Sequence, residues 1–259
     1  MLAWTIERHL SNMIFDFDRN SVTHSLLPQR RLDVGLQSTS ALGLFGFVVC
    51  ICLSFAITPA SASEQPKPGV FEVVKSESEI RVLVYRGGLL GGFGHNHVIS
   101  TSDIGGRIVI SGDPTGSSVE LTIPVESFEV DIEAYRVEEG DDFKSEVSDK
   151  AKLGTKKNML GAKLLNAAIF PSILVELNSW SGELPEILAN TTFRVKDQSH
   201  VMEFPASVSM SAEQIVITGS FDITHGQLGL KPFTAVLGGL RVRDEFRIKF
   251  RITARRPTQ

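Results

Sequence analysis

From about residue 70 onward, apolar and polar positions alternate with a period of two. Ile80, Val82 and Val84 alternate with Arg81, Leu83 and Tyr85, and a short run at Ile108–Ile110 lies between Gly105-Gly106 and the turn residues Gly112-Asp113-Pro114. Val119, Leu121, Ile123 and Val125 share one parity; across Glu126-Ser127 the parity changes to Phe128, Val130 and Ile132, which predicts a bulge. Ile173, Val175 and Leu177 form another face, followed by a short run at Phe193 and Val195. The last three runs are the most regular: Met202 to Met210, Ile215 to Ile223, and Val242 to Ile252, the last alternating with Arg241, Arg243, Glu245, Arg247, Lys249 and Arg251. A period of two with one apolar face predicts antiparallel strands buried on one side and solvated on the other. Roughly seven to nine such segments separated by turns predict an all-β barrel or sandwich.

Two regions break the alternation. From Asp141 to Phe170 the chain is charged and then helix-like, with Leu160, Leu164, Ala167 and Ala168 at helical spacing before Phe170-Pro171. One mid-chain helix in an all-β chain either plugs or lids a barrel end or covers the core as a solvated connection. The second is Arg86–Ser100, with Gly87, Gly88, Gly91, Gly92 and Gly94 ahead of His95-Asn96-His97. That glycine density predicts a sharp turn, a bulge or a close backbone approach. No Gly-Lys-Ser/Thr follows it and it leads into β-branched residues, so it is not a phosphate loop. Its place is the rim of a β-structure.

Residues 1–62 do not read as fold. Arg30-Arg31 precede a charge-free apolar run, Ala41–Ile57, and Ala60-Ser61-Ala62 follows in the small-x-small pattern of a signal-peptidase site. Export with cleavage near Ala62 is expected, giving a periplasmic or secreted protein; an uncleaved anchor helix is the alternative. The expected organisation is then extension and signal peptide (1–62), linker (63–69), one β domain (70–254) and a short tail (255–259). Both cysteines, Cys50 and Cys52, fall inside the apolar run, so the β domain contains no disulfide and depends on burial for stability.

The net charge is −4. The extension contributes nothing to it, since Glu7, Asp16, Asp18 and Asp33 balance Arg8, Arg19, Arg30 and Arg31. No basic excess points to nucleic acid. There is no Gly-x-Ser-x-Gly elbow, the β domain has no thiol, and the carboxylates at Glu138–Asp142 read as a solvated loop, so no enzyme is expected.

The order of these segments resembles the YceI-like family of exported polyisoprenoid-binding barrels. Asn158–Leu177, with Phe170-Pro171-Ser172-Ile173, is similar to that family's helix leading into a Tyr/Phe-Pro-x-Ile strand, and Ile223–Leu230 is similar to its late loop. The chain departs from the family at Thr192–Ser199, where a Gly-x-Leu-Thr-x-x-Gly strand is usual, and at Lys156-Lys157-Asn158, where the helix lead is usually more acidic. The resemblance spans roughly residues 70–254. It implies a single antiparallel lipocalin-like β-barrel with one mid-chain helix, no cofactor beyond a bound isoprenoid or quinone, and a hydrophobic lipid or quinone as partner, with transient membrane contact compatible with that role. The oligomeric state stays open, a homodimer included.

In such a barrel Met202, Phe204, Ile217, Phe221, Phe246 and Phe250 would line an apolar channel, although the same aromatics could instead fill a packed core and leave a structural or partner-binding module. His95 and His97, two apart, point to one face, and His225 and Asp244 continue the apolar parity of their strands. Three roles are open to the imidazoles. They can hydrogen-bond the glycine-rich loop, contact a ligand head group, or hold a metal with His225 or Asp244 as third ligand. No carboxylate lies in the immediate loop to orient them.

Overall fold

The computed structural model describes residues 67–112 and 116–258, with Val236 described by its backbone alone. The apolar run, the Ala60-Ser61-Ala62 motif, both cysteines, most of the linker and the turn at Asp113-Pro114 lie outside the described residues. The described residues all belong to one compact unit of the chain, Pro59–Gln259.

The alternating segments form β1 (Gly69–Val73), β2 (Glu79–Gly87), β3 (His97–Thr101), β4 (Gly105–Ile110), β5 (Ser118–Pro124), β6 (Glu129–Val130), β7 (Ser172–Glu183), β8 (Glu186–Val195), β9 (Gln198–Met210), β10 (Gln214–Thr224), β11 (Thr234–Ala235) and β12 (Leu240–Arg255). Neighbours pair antiparallel in the order β1-β4-β5-β7-β8-β9-β10-β12, and β12 returns to β1 through Val73 and Ala254, closing an eight-stranded barrel. The expected all-β barrel is therefore present. β12 is long enough to pair with β1 at its end and with β2 along its middle, and β2-β3-β6 continue the sheet from there.

β1/β2, β3/β4 and β5/β6 are thus three strands, each interrupted at a similar level. The breaks lose ladder hydrogen bonds, and hydroxyls replace them. The buried Ser78 Oγ donates to the Val74 carbonyl at 2.9 Å and accepts from the Thr253 amide at 3.0 Å. Thr101 and Ser127 hydroxyls lie 2.7 Å apart, and Ser127 Oγ also bonds the Pro124 carbonyl. The parity change at Glu126-Ser127 is this break, a single 3-10 turn over Val125–Ser127, and not a bulge within a continuous strand.

Among the described residues two α-helices accompany the barrel, α1 (Glu133–Glu138) and α2 (Asp149–Leu160). α2 begins at Ser148, whose hydroxyl accepts the Ala151 amide at 3.3 Å, as an N-cap should. It ends earlier than the spacing at Leu160–Ala168 predicts. Gly161 stops it, and Asn166 at φ 51° turns the chain so that Ala167 N reaches Leu160 O at 3.0 Å. The apolar residues at helical spacing therefore sit on a compact run of turns, where Leu165 and Ala167 join the core. α2 packs against β6, which is hydrogen-bonded to β3 alone among the described strands.

The core falls into three parts. Phe71, Ile108, Ile215 and Ala254 fill the barrel at the β1 end. Leu83, Val98 and Phe143 pack on the outer face of β2–β3, beneath the segment that follows α1. The largest part, including Ile99, Leu121, Ile123, Phe128 and Ile252, surrounds the barrel interior on the α2 side. No helix among the described residues is long and apolar enough to cross a membrane.

Candidate functional site: an apolar cavity with a buried charge network at its rim

The glycine-rich segment joins β2 to β3. Close approach is required at Gly88, which lies at φ 87° and where a Cβ would stand 2.5 Å from the Gly239 carbonyl oxygen. The Leu90 amide donates to that same carbonyl at 2.8 Å, tying this loop to the one before β12. Gly91 and Gly92 have open space around them. Asn96 pins the other side, accepting the Arg86 amide at 2.9 Å and donating to Asp142 O at 2.9 Å. The loop is held by Asn96, not by the histidines.

His97 is built into a different set of contacts. Its Nδ1 lies 2.6 Å from Asp131 Oδ2, and its Nε2 lies 3.3 Å from Thr155 Oγ1 on α2. Asp131 is fully buried at φ 58°, immediately after β6. Its Oδ1 accepts the Val98 amide at 2.9 Å and also Arg136 Nη1. Arg136, itself buried, donates onward to the carbonyls of Asn96 (2.8 Å), Phe143 (2.6 Å) and Ser145 (2.8 Å). A buried carboxylate survives only when paired and fully hydrogen-bonded, and Asp131 meets that condition. Burial alone would raise its pKa, but hydrogen bonds from His97, the Val98 amide and Arg136 outweigh burial and hold it below the usual carboxylate range. An ionised carboxylate can only accept, so His97 Nδ1 is the donor. In the neutral ring Nε2 is then an acceptor facing Thr155.

His95 sits beside it, ring centroids 6.3 Å apart. Burial and the charges of His97 and Arg136 push its pKa below the ordinary histidine value. Its Nδ1 is buried with no hydrogen-bond partner. His225, also buried, donates Nδ1–H to the Asp244 carbonyl at 2.7 Å and rests edge-on against Phe246.

All three imidazoles border one cavity of about 550 Å³ inside the barrel, within the range of small-molecule sites. Its wall is almost entirely aliphatic and aromatic. Phe204 and Phe221 stack at 4.3 Å, with Phe250 edge-on to both, and Gly219 leaves room for the Phe250 ring. Ala151, Thr155, Asn158 and Met159 supply the α2 side of the wall. The packed-core alternative does not hold, because the interior is hollow.

Of the residues expected to line such a space, His95, His97, Phe204, Ile217, Phe221, His225, Phe246 and Phe250 border it. Met202 is half-buried and is not among the bordering residues. Asp244 also departs from expectation. β12 shifts register between Val242 and Phe246, both of which border the cavity, so Asp244 lies inside a bulge between them and its side chain is exposed. Among the described residues no group of three His, Cys, Asp or Glu is arranged to hold a metal, so the metal alternative finds no ligand set there. The sequence reading missed Asp131, Arg136 and Thr155. Asp131 lies 34 positions from His97, and no local pattern links them.

The YceI-like domain model matches residues 71–254. The chain belongs to the YceI-like family. A search of curated proteins finds no match. Among solved structures, BcnA of Burkholderia cenocepacia superposes with a TM-score of 0.50 at 14% identity, covering 70% of this chain and 98% of that one. A polyisoprenoid binding domain from Saccharophagus degradans gives 0.47 at 11% identity, with 72% and 98% covered. A Campylobacter jejuni YceI protein gives 0.42 at 11% identity, with 60% and 82% covered. At these identities the likeness concerns the fold. The matched residues span the whole closed barrel, which seals on itself through β12 and β1 within the compact unit Pro59–Gln259, so the barrel is a folding unit in its own right.

Proposed function

We propose that this YceI-like protein is an exported carrier that holds one hydrophobic, chain-like molecule, an isoprenoid quinone or polyprenyl lipid, for transport, storage or stress protection. The carrying observation is the hollow apolar interior with three polar groups, His95, His97 and Thr155, close together in its wall. Burial of each methylene of such a chain is favourable by about 0.8 kcal/mol, whereas an empty apolar cavity loses packing. His97, its Nδ1 held by Asp131, presents Nε2 as one directional hydrogen-bonding group for a polar head that displaces Thr155. The YceI-like family membership supports a hydrophobic-ligand barrel. The neighbour described as polyisoprenoid-binding shares the fold.

Export is supported by the charge-free run Ala41–Ile57 followed by Ala60-Ser61-Ala62. N-terminal sequencing of protein from its native host tests it; a start at Ser63 is expected, and a retained apolar run would replace the exported carrier with an anchored one. For the ligand, thermal unfolding with polyprenyl alcohols of increasing chain length is the test. A ligand at a hundred times its Kd stabilises by about 2.7 kcal/mol, so the melting temperature should rise with chain length until the cavity is full. No shift at any length would refute the reading.

A further inference from the structure

Three of the most exposed apolar side chains lie on two loops. Leu89 and Phe93 belong to the glycine-rich connection, with exposures of 100% and 83%, and Leu237 belongs to the loop before β12, with 110%. These loops are tied by the Leu90–Gly239 hydrogen bond, so the three side chains crown one rim of the barrel. Leu237 sits at φ 51°, a region disfavoured for a branched residue, and presents its side chain outward. An apolar surface continues from these tips inward, because Phe93 of the glycine-rich loop and Leu240 at the start of β12 border the cavity.

The charges nearby are ordered. β12 runs away from this rim, so Arg241 and Arg243 come before Asp244 and Glu245, and Arg86 pairs beside Val242 at the same level. All three arginines are exposed. Apolar tips backed by guanidinium groups suit a bilayer with anionic head groups, where the tips enter the acyl boundary and the cations stay at phosphate level. A few side chains offer too little area for a stable protein interface, which needs about 800 Å² per partner.

We propose that this rim docks on an anionic lipid bilayer, so that an apolar molecule passes between membrane and cavity past Phe93 and Leu240 without crossing water. The proposal rests on the carrier reading above and adds the surface and the partner. The test uses the barrel unit from Ser63 onward, because the run Ala41–Ile57 would enter lipid by itself. Sedimentation with vesicles of phosphatidylethanolamine and phosphatidylglycerol should capture the wild type, with weaker capture by phosphatidylcholine or at high salt. The variant Leu89→Ser/Leu237→Asn changes two tips that do not border the cavity, and asparagine accepts the left-handed backbone. It should bind the anionic vesicles at least about tenfold more weakly while keeping the wild-type melting temperature and uptake of an apolar naphthyl dye. Undiminished sedimentation of the variant, or no sedimentation of the wild type, overturns the docking proposal. So does a wild-type dimer that the substitutions dissociate. Wild-type protein that sediments yet takes up no dye would count against the carrier reading alone.

Discussion

Replacing Asp131 with asparagine changes one oxygen to an amide and leaves the backbone free to keep φ 58°, since asparagine is among the few residues that adopt the left-handed region readily. What changes is charge and donor count. Arg136 is left as a buried cation without its carboxylate, and breaking such a pair from one side costs about 3–5 kcal/mol. The carbonyls of Asn96, Phe143 and Ser145 still solvate the guanidinium, which points to the lower end, about 3 kcal/mol. For a domain of this size that lowers the melting temperature by about 6–12 °C. The sign with pH follows from the depressed pKa of Asp131. Its stabilisation is complete above the ordinary aspartate value and is lost as pH falls through the lower folded value, so the gap between wild type and variant should be full at neutral pH and close below about pH 4. The amide also turns its NH2 toward His97 Nδ1, so in the neutral ring the tautomer reverses and Nε2 becomes a donor toward Thr155. Thermal unfolding reads the first effect and nitrogen-15 shifts of the imidazole read the second. A fall below about 3 °C together with an unchanged tautomer would refute the buried network as described.

Three further outcomes are expected. His95 is held neutral by burial and neighbouring charge, so the unfolded chain binds its proton first and stability drops as pH falls below about 6.5; His95→Gln should flatten the melting-temperature profile there, and identical profiles would contradict this. A Cβ at Gly219 would stand 2.5 Å from the Phe250 ring and 3.0 Å from the Pro205 carbonyl, so Gly219→Ala should cost about 1–3 kcal/mol in urea unfolding, against a near-neutral result if the ring moved freely into the cavity. Ile217→Trp places bulk inside the cavity and should weaken binding of a polyprenyl alcohol at least about tenfold, or about 1.4 kcal/mol, with the fold retained by circular dichroism; undiminished affinity would put the ligand elsewhere.

The barrel was legible because alternation is a local signal that each strand carries alone. Phe204, Ile217, Phe221, Phe246 and Phe250 keep parity on long strands, and all five border the cavity. Parity is uninformative only inside an interruption of the ladder, since Val242 and Phe246, on either side of the one in β12, both border the cavity. Asp244 sits on a register shift, and the break at Val125–Ser127 depends on hydroxyl contacts between Thr101 and Ser127 that no periodicity records. The helix was misplaced for a related reason, since Gly161 and Asn166 end it while the apolar spacing runs on through the turns. The histidine pair was visible as a motif, yet its chemistry depends on Asp131 and Arg136, which only the pairing of β3 with β6 brings alongside.

Organic extraction of protein purified from its native host without added lipid, followed by mass spectrometry, bears most directly on what the hollow barrel is for. One apolar chain-like molecule per barrel should be recovered from the wild type and largely lost from Ile217→Trp. Extracts without any such molecule, from protein whose melting temperature added isoprenoids leave unchanged, would contradict the carrier reading.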